Sequence, residues 1–185
     1  KPGKGYGFVI ELNRRQQELL KFPELNSGFE TMYWYQDKNL TYIQNDMNGC
    51  FVDSKAIMDG LAAEEGGHYP GESRRIPLSF KMDVPRQGNY LATILIRAEE
   101  DMKDVLIFTG RRRLAYKGDI AAGQDFQFVT VVNVCDIVPR GQERIYQDTT
   151  LDITVVADKP RLTSVSIVET KCPTIYIAGD STVTD

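Results

Sequence analysis

The sequence predicts an all-β fold, a sandwich of two antiparallel sheets of the jelly-roll type with one or two short helices on its rim. Stretches rich in β-branched and aromatic residues recur along the chain, each bounded by Gly, Pro or Asp. Several alternate apolar and polar residues with period two, the pattern of a strand with one buried and one solvated face. At 185 residues the chain is long enough for one domain with a sizeable core and short for two complete ones.

Residues 5–10, Gly-Tyr-Gly-Phe-Val-Ile, read as the first strand, with Tyr6 and Phe8 as core anchors. The glycines at 3, 5 and 7 lack a Lys-Ser/Thr pair and a following helix, so they form no phosphate cradle. Asn13 is placed to cap a short helix through Leu20, and residues 28–35 read as a strand. Asp53 is placed to cap a second helix that stops at Gly66-Gly67, ahead of a polar loop over 67–75 that carries His68.

The second half is the most regular. Strands are expected over 76–84, 88–97, 104–109, 126–135, 151–156 and 162–168. Tyr90, Ala92, Ile94 and Ile96 share one face. Leu151, Ile153 and Val155 oppose Asp152 and Thr154, while Val165 and Ile167 oppose Ser164 and Ser166, so both strands bury one side. There is no internal repeat, low-complexity tract or long charge run.

Composition excludes several function classes. A charged fraction of 26% with a net charge of -4 rules out a disordered chain and argues against a nucleic-acid partner, which would need a surplus of Lys and Arg to displace counterions. No apolar run approaches the length of a membrane span and no leader is visible, so no membrane partner is expected. Cys50, Cys135 and Cys172 are odd in number and widely spaced, allowing at most one bridge and arguing against a Cys-type zinc site. With His68 the only histidine, a His-rich metal site cannot be built. No cofactor is expected; the alternative is a calcium ion on acidic groups such as Asp46 and Asp53, which lack a dense Asp-x-Asp loop.

The end of the chain departs from the sandwich pattern. Residues 174–178, Thr-Ile-Tyr-Ile-Ala, are apolar on both faces, as in a strand buried in a parallel sheet. Cys172-Pro173 before them marks a boundary, because Pro lacks an amide donor and restricts its predecessor. The expected division is a sandwich over 1–171 and the opening of another domain over 172–185. Gly179-Asp180-Ser181 then places a serine hydroxyl on a strand-to-helix turn, where backbone amides can hold an oxyanion.

With Thr-Ile-Tyr-Ile-Ala before it and Thr-Val-Thr-Asp after it, this segment resembles the first sequence block of the SGNH, or GDSL-type, hydrolases, in the form with Thr after the Ser typical of rhamnogalacturonan acetylesterase relatives. Upstream, Arg111-Arg112-Arg113-Leu114, Ala121-Ala122-Gly123, the Phe-Val-Thr strand after Phe126 and Leu162-Thr163-Ser164-Val165-Ser166-Ile167 look like the galactose-binding-like β-sandwich found ahead of many bacterial members. Between Leu12 and Arg75 the sequence departs from that pattern, as an insertion would.

The resemblance implies a parent carbohydrate O-acetylesterase in which Ser181 is the nucleophile and Gly179 and Asp180 belong to its loop. A Gly, an Asn and an Asp-x-x-His segment would come from later blocks that the 185 residues do not include. By themselves these residues are expected to hydrolyse nothing, because Ser181 has no base in sequence reach and His68 matches no family position.

The expected role of the sandwich is therefore ancillary, with the esterase domain as one partner and acidic plant cell-wall polysaccharide as another, outside the cell by family analogy or in the cytoplasm on imported oligosaccharides. Trp34, Tyr33, Tyr35 and Tyr69 supply flat rings on which a pyranose can stack, with core burial as the competing use. Arg74, Arg75, Arg97 and Arg111 to Arg113 supply guanidinium forks for galacturonate carboxylates, Arg74, Arg97 and Arg111 foremost, with a solvated strand face as the alternative. The other reading of the whole is a purely structural domain that packs on the esterase and holds no sugar.

Overall fold

The computed structural model describes residues 5–11, 40–42, 50–51, 53, 75–110, 113–136, 143–145, 147–173 and 175. Within them lie strands β1 (Tyr6–Glu11), β2 (Leu40–Tyr42), β3 (Cys50–Phe51), β4 (Leu78–Asp83), β5 (Gly88–Arg97), β6 (Met102–Thr109), β7 (Arg113–Ile120), β8 (Asp125–Val134), β9 (Thr150–Val156) and β10 (Arg161–Thr170). They form a six-stranded sheet, β2-β1-β4-β9-β6-β7, and a four-stranded sheet, β3-β10-β5-β8. Every pairing is antiparallel.

Strands β3 to β10 reproduce the order of an eight-stranded jelly roll. The first strand lies beside the last and the third beside the sixth in one sheet; the second, seventh, fourth and fifth make the other. β1 and β2 extend the larger sheet beyond β4. The fold class read from the sequence is therefore the one observed. Both helix segments, after Asn13 and after Asp53, lie outside the described residues, as do the strand at 28–35 and His68.

The core lies where the two sheets face each other. Tyr90, Ala92, Ile94 and Ile96 of β5 point inward, paired across the small sheet with Val132, Thr130, Phe128 and Phe126 of β8. Leu151, Ile153 and Val155 of β9 meet them from the large sheet beside Met82, Phe80 and Leu78 of β4. Leu78, Ile96, Ile107 and Leu151 have no solvent exposure at all. Burying a side chain of this size contributes about 1.5–3 kcal/mol each, which makes this layer the main source of stability. Phe8 packs on the core as expected, its ring 5.3 Å from that of Phe80. Tyr6 does not: at the first position of β1, beside the Gly5 turn, it remains 49% exposed.

The side of the sandwich between β7 and β8 is closed by side chains that cross from one sheet to the other. The Tyr116 ring sits 4.9 Å from Phe126 and 5.8 Å from Phe128. Arg113 donates to Thr109 Oγ1 at 3.2 Å, to Thr130 Oγ1 at 2.9 Å and to the Val131 carbonyl at 2.9 Å. The chain crosses between the sheets at residues 121–124, where Gly123 adopts φ 75° and its N–H donates to the Ala98 carbonyl at 2.7 Å. Among the described residues no helix is long and apolar enough to cross a membrane.

Candidate functional site

Of the arginines proposed to bind sugar, Arg75, Arg97 and Arg113 are among the described residues, and Arg97 lies at the loop end at which β5 finishes. Arg97 closes β5 opposite Asp125, the first residue of β8. Its Nε donates to Oδ1 at 2.8 Å and its Nη2 to Oδ2 at 3.0 Å, a fork-to-fork pair. The hydrogen bond and charge of Asp125 push the Arg97 pKa up, and the same bond holds the Asp125 carboxyl below its ordinary value. Both groups stay charged at neutral pH, and this guanidinium edge is already filled by a carboxylate of the protein.

The rest of that end is a lattice of ion pairs and hydrogen bonds between loops and strand ends. Arg161 Nε lies 3.0 Å from Glu99, and Lys159 lies 2.8 Å from Glu100 and 3.8 Å from Asp53. Arg75 donates through Nε and Nη2 to Asp158 at 2.9 and 3.2 Å. Lys103 donates to Asp119 at 2.7 Å, and Asp101 accepts the Ala122 N–H at 2.8 Å. Each cation meets an acid from a different segment of chain, so the lattice ties the start of β4 and the β5–β6, β7–β8 and β9–β10 connections together.

Among the described residues no group of three or more His, Cys, Asp or Glu is arranged to hold a metal ion. Asp53, one of the acids considered for calcium, faces the ammonium of Lys159. Asp46 lies outside the described residues, and so do Trp34, Tyr33, Tyr35, Tyr69, Arg74, Arg111, Gly179, Asp180 and Ser181.

A second surface is the outer face of the small sheet, which the sequence reading did not single out. Ladder register aligns it in rows across β10, β5 and β8: Thr170, Asn89 and Asn133; Val168, Leu91 and Val131; Ser166, Thr93 and Val129; Ser164, Leu95 and Gln127. Val168 is 58%, Val129 50% and Leu91 38% exposed. At the rim of this face Asn133 Nδ2 donates to Asn89 Oδ1 at 2.8 Å; on the other parity of β10, where Glu169 lies opposite buried Tyr90, Arg86 forks onto Glu169 at 2.9 and 2.8 Å. The signal was present in the sequence: Leu91, Leu95, Val129, Val131 and Val168 are apolar at positions of the solvated parity.

No protein-family model matches the chain, and no curated protein matches it. A solved structure, the CBM35 from Paenibacillus barcinonensis, aligns over 55% of this chain and 84% of its own, with 8% identity and a TM-score of 0.31. At that score the likeness does not bear on what this chain binds.

Proposed function

We propose that this chain is the non-catalytic β-sandwich module of a carbohydrate O-acetylesterase of the rhamnogalacturonan type, and that residues 172–185 open its esterase domain. The observation that carries the reading is one of sequence placement. The segment resembling the first SGNH block begins four residues after β10 ends at Thr170, where a following domain would start. Ile175, which the sequence pattern assigns to the first strand of that block, is 85% exposed.

The module supports the esterase or holds it on acidic pectic glycan outside the cell, the aromatic and arginine residues named above being the candidates for contact. Calorimetric titration of the chain with galacturonan and rhamnogalacturonan oligosaccharides tests this, and saturable heat with an acidic oligosaccharide is the expected result. The competing structural role is favoured by one observation: the Arg97 fork is occupied by Asp125. No heat with any oligosaccharide, together with loss of esterase activity when residues 1–171 are deleted, would establish that role instead.

A further inference from the structure

The outer face of the small sheet changes character along its strands. At one end Arg97 and Asp125 form an ion pair; further along come Ser164, Leu95 and Gln127; then Ser166, Thr93 and Val129. The last full row before the polar rim, Val168-Leu91-Val131, is apolar across all three strands. With Val129 diagonally adjacent, it forms an exposed apolar patch bordered on the same face by the Asn89–Asn133 bond. An apolar centre with a polar, satisfied border is the anatomy of a protein interface.

The patch lies at the end of the sheet from which the chain leaves. Val168 is two residues before Thr170, the last residue of β10. Only Lys171, Cys172 and Pro173 separate Thr170 from the segment with SGNH resemblance, and three extended residues reach about 10 Å. Pro173 stiffens that short tether. A domain that followed Pro173 would therefore start near this end of the sheet. The large sheet offers no such exit, because β10 belongs to the small one.

We infer that the Val168-Leu91-Val131 patch, with Val129, is the docking face for the domain that continues the chain past Pro173. The inference rests on the reading that an esterase domain follows. Its occupant is fixed by the tether, which holds that domain against this end of the sheet at an effective concentration no separate partner matches.

The test compares the 185-residue chain with the protein carrying the esterase domain that the reading calls for, using methyl-labelled Leu and Val and a soluble paramagnetic agent. The methyls of Leu91, Val129 and Val168 should be broadened in the short chain and protected in the long one. Val168→Lys should leave the melting of the short chain unchanged while separating the sandwich and esterase transitions in the long protein. Equal broadening in both proteins, with Ser181-dependent acetate release intact, would overturn the docking face and leave the esterase reading standing. Absence of that activity from the longer protein would overturn the esterase reading itself. Protection of the same methyls in a dimer of the short chain would assign the face to a second copy and overturn the inference.

Discussion

Arg75 donates from Nη1 to the backbone carbonyl of Asp104 at 2.9 Å, and Asp104 is the non-glycine residue among those described whose φ is positive, 48°. Nη2 of the same guanidinium holds the Lys103 carbonyl at 2.9 Å. From the other side Asp119 accepts the Asp104 N–H at 3.0 Å and the Lys103 ammonium at 2.7 Å. The ladder between β6 and β7 shifts register here, between Met102 and Val105, so the clamp grips a bulge that the ladder itself leaves unpaired.

Removing the clamp should be costly. Arg75→Ala deprives two carbonyls and the Asp158 carboxylate of a charged donor and is expected to lower stability by about 1.5–3 kcal/mol. Arg75→Lys should recover only part of this, because a single ammonium cannot reproduce a planar fork that reaches three acceptors. Urea denaturation of the three proteins measures both effects, and full recovery by lysine would show that charge alone matters at this position.

At Asp104 itself the backbone, not the side chain, sets the outcome. A left-handed conformation costs an ordinary L-residue about 1–2 kcal/mol, a penalty glycine escapes. Asp104→Gly is therefore expected to be neutral or to stabilise by up to about 1 kcal/mol, after allowing for glycine's greater freedom in the unfolded chain. Asp104→Val, β-branched and without a local hydrogen bond to offer, should destabilise by about 1–2 kcal/mol. Thermal melting of the pair decides the matter: a valine variant as stable as the glycine one would mean that the bulge relaxes.

The strands with a clean period of two were legible beforehand. Gly88–Arg97 was bounded correctly, and Tyr90, Ala92, Ile94 and Ile96 are buried as the alternation requires. The alternation predicts β6 only from Asp104, whereas it begins at Met102, because a bulge breaks the period there. Periodicity does not reveal β7; only the resemblance of Arg111-Arg112-Arg113-Leu114 points to a strand there. It is an edge strand with Gly118 in its interior, and a second register shift between Ile107 and Phe108 scrambles the parity of its side chains. β2 and β3, of three and two residues, are too short to show any period. For the site, residue type alone pointed to Arg97, but its cross-strand partner is a property of register.

The two faces of β5 should respond differently to truncation. Ile94 is 1% exposed and packed between the sheets, so Ile94→Ala should cost about 2–5 kcal/mol and Ile94→Val about 0.5–1.5 kcal/mol. Leu91, three residues earlier on the opposite face and 38% exposed, loses far less buried area, and Leu91→Ala should cost less than about 1.5 kcal/mol. Denaturant midpoints rank the three; Leu91→Ala matching Ile94→Ala would mean that the outer face is covered within this chain.

Acid should weaken the fold through carboxylates that the structure keeps ionised. Hydrogen bonds from Lys103, Arg97 and Arg86 hold Asp119, Asp125 and Glu169 below their ordinary values of 3.8, 3.8 and 4.5. The unfolded chain takes up these protons first as pH falls, so their stabilisation is complete above the ordinary values and disappears as pH drops through the lowered ones. Asp83 works in the opposite sense: burial raises its pKa, and its contribution diminishes as pH rises from the ordinary 3.8 through the raised value. Three groups against one make the net trend a loss of stability on acidification, softened by salt because the pairs are exposed. Melting temperatures recorded from about pH 3 to 7 should fall toward the acid end. Asp125→Asn should flatten that fall, and Asp83→Asn should steepen it by removing the group that gains on protonation. An Asp125→Asn profile parallel to that of the unmodified chain would show that the Arg97 pair contributes nothing to the pH dependence.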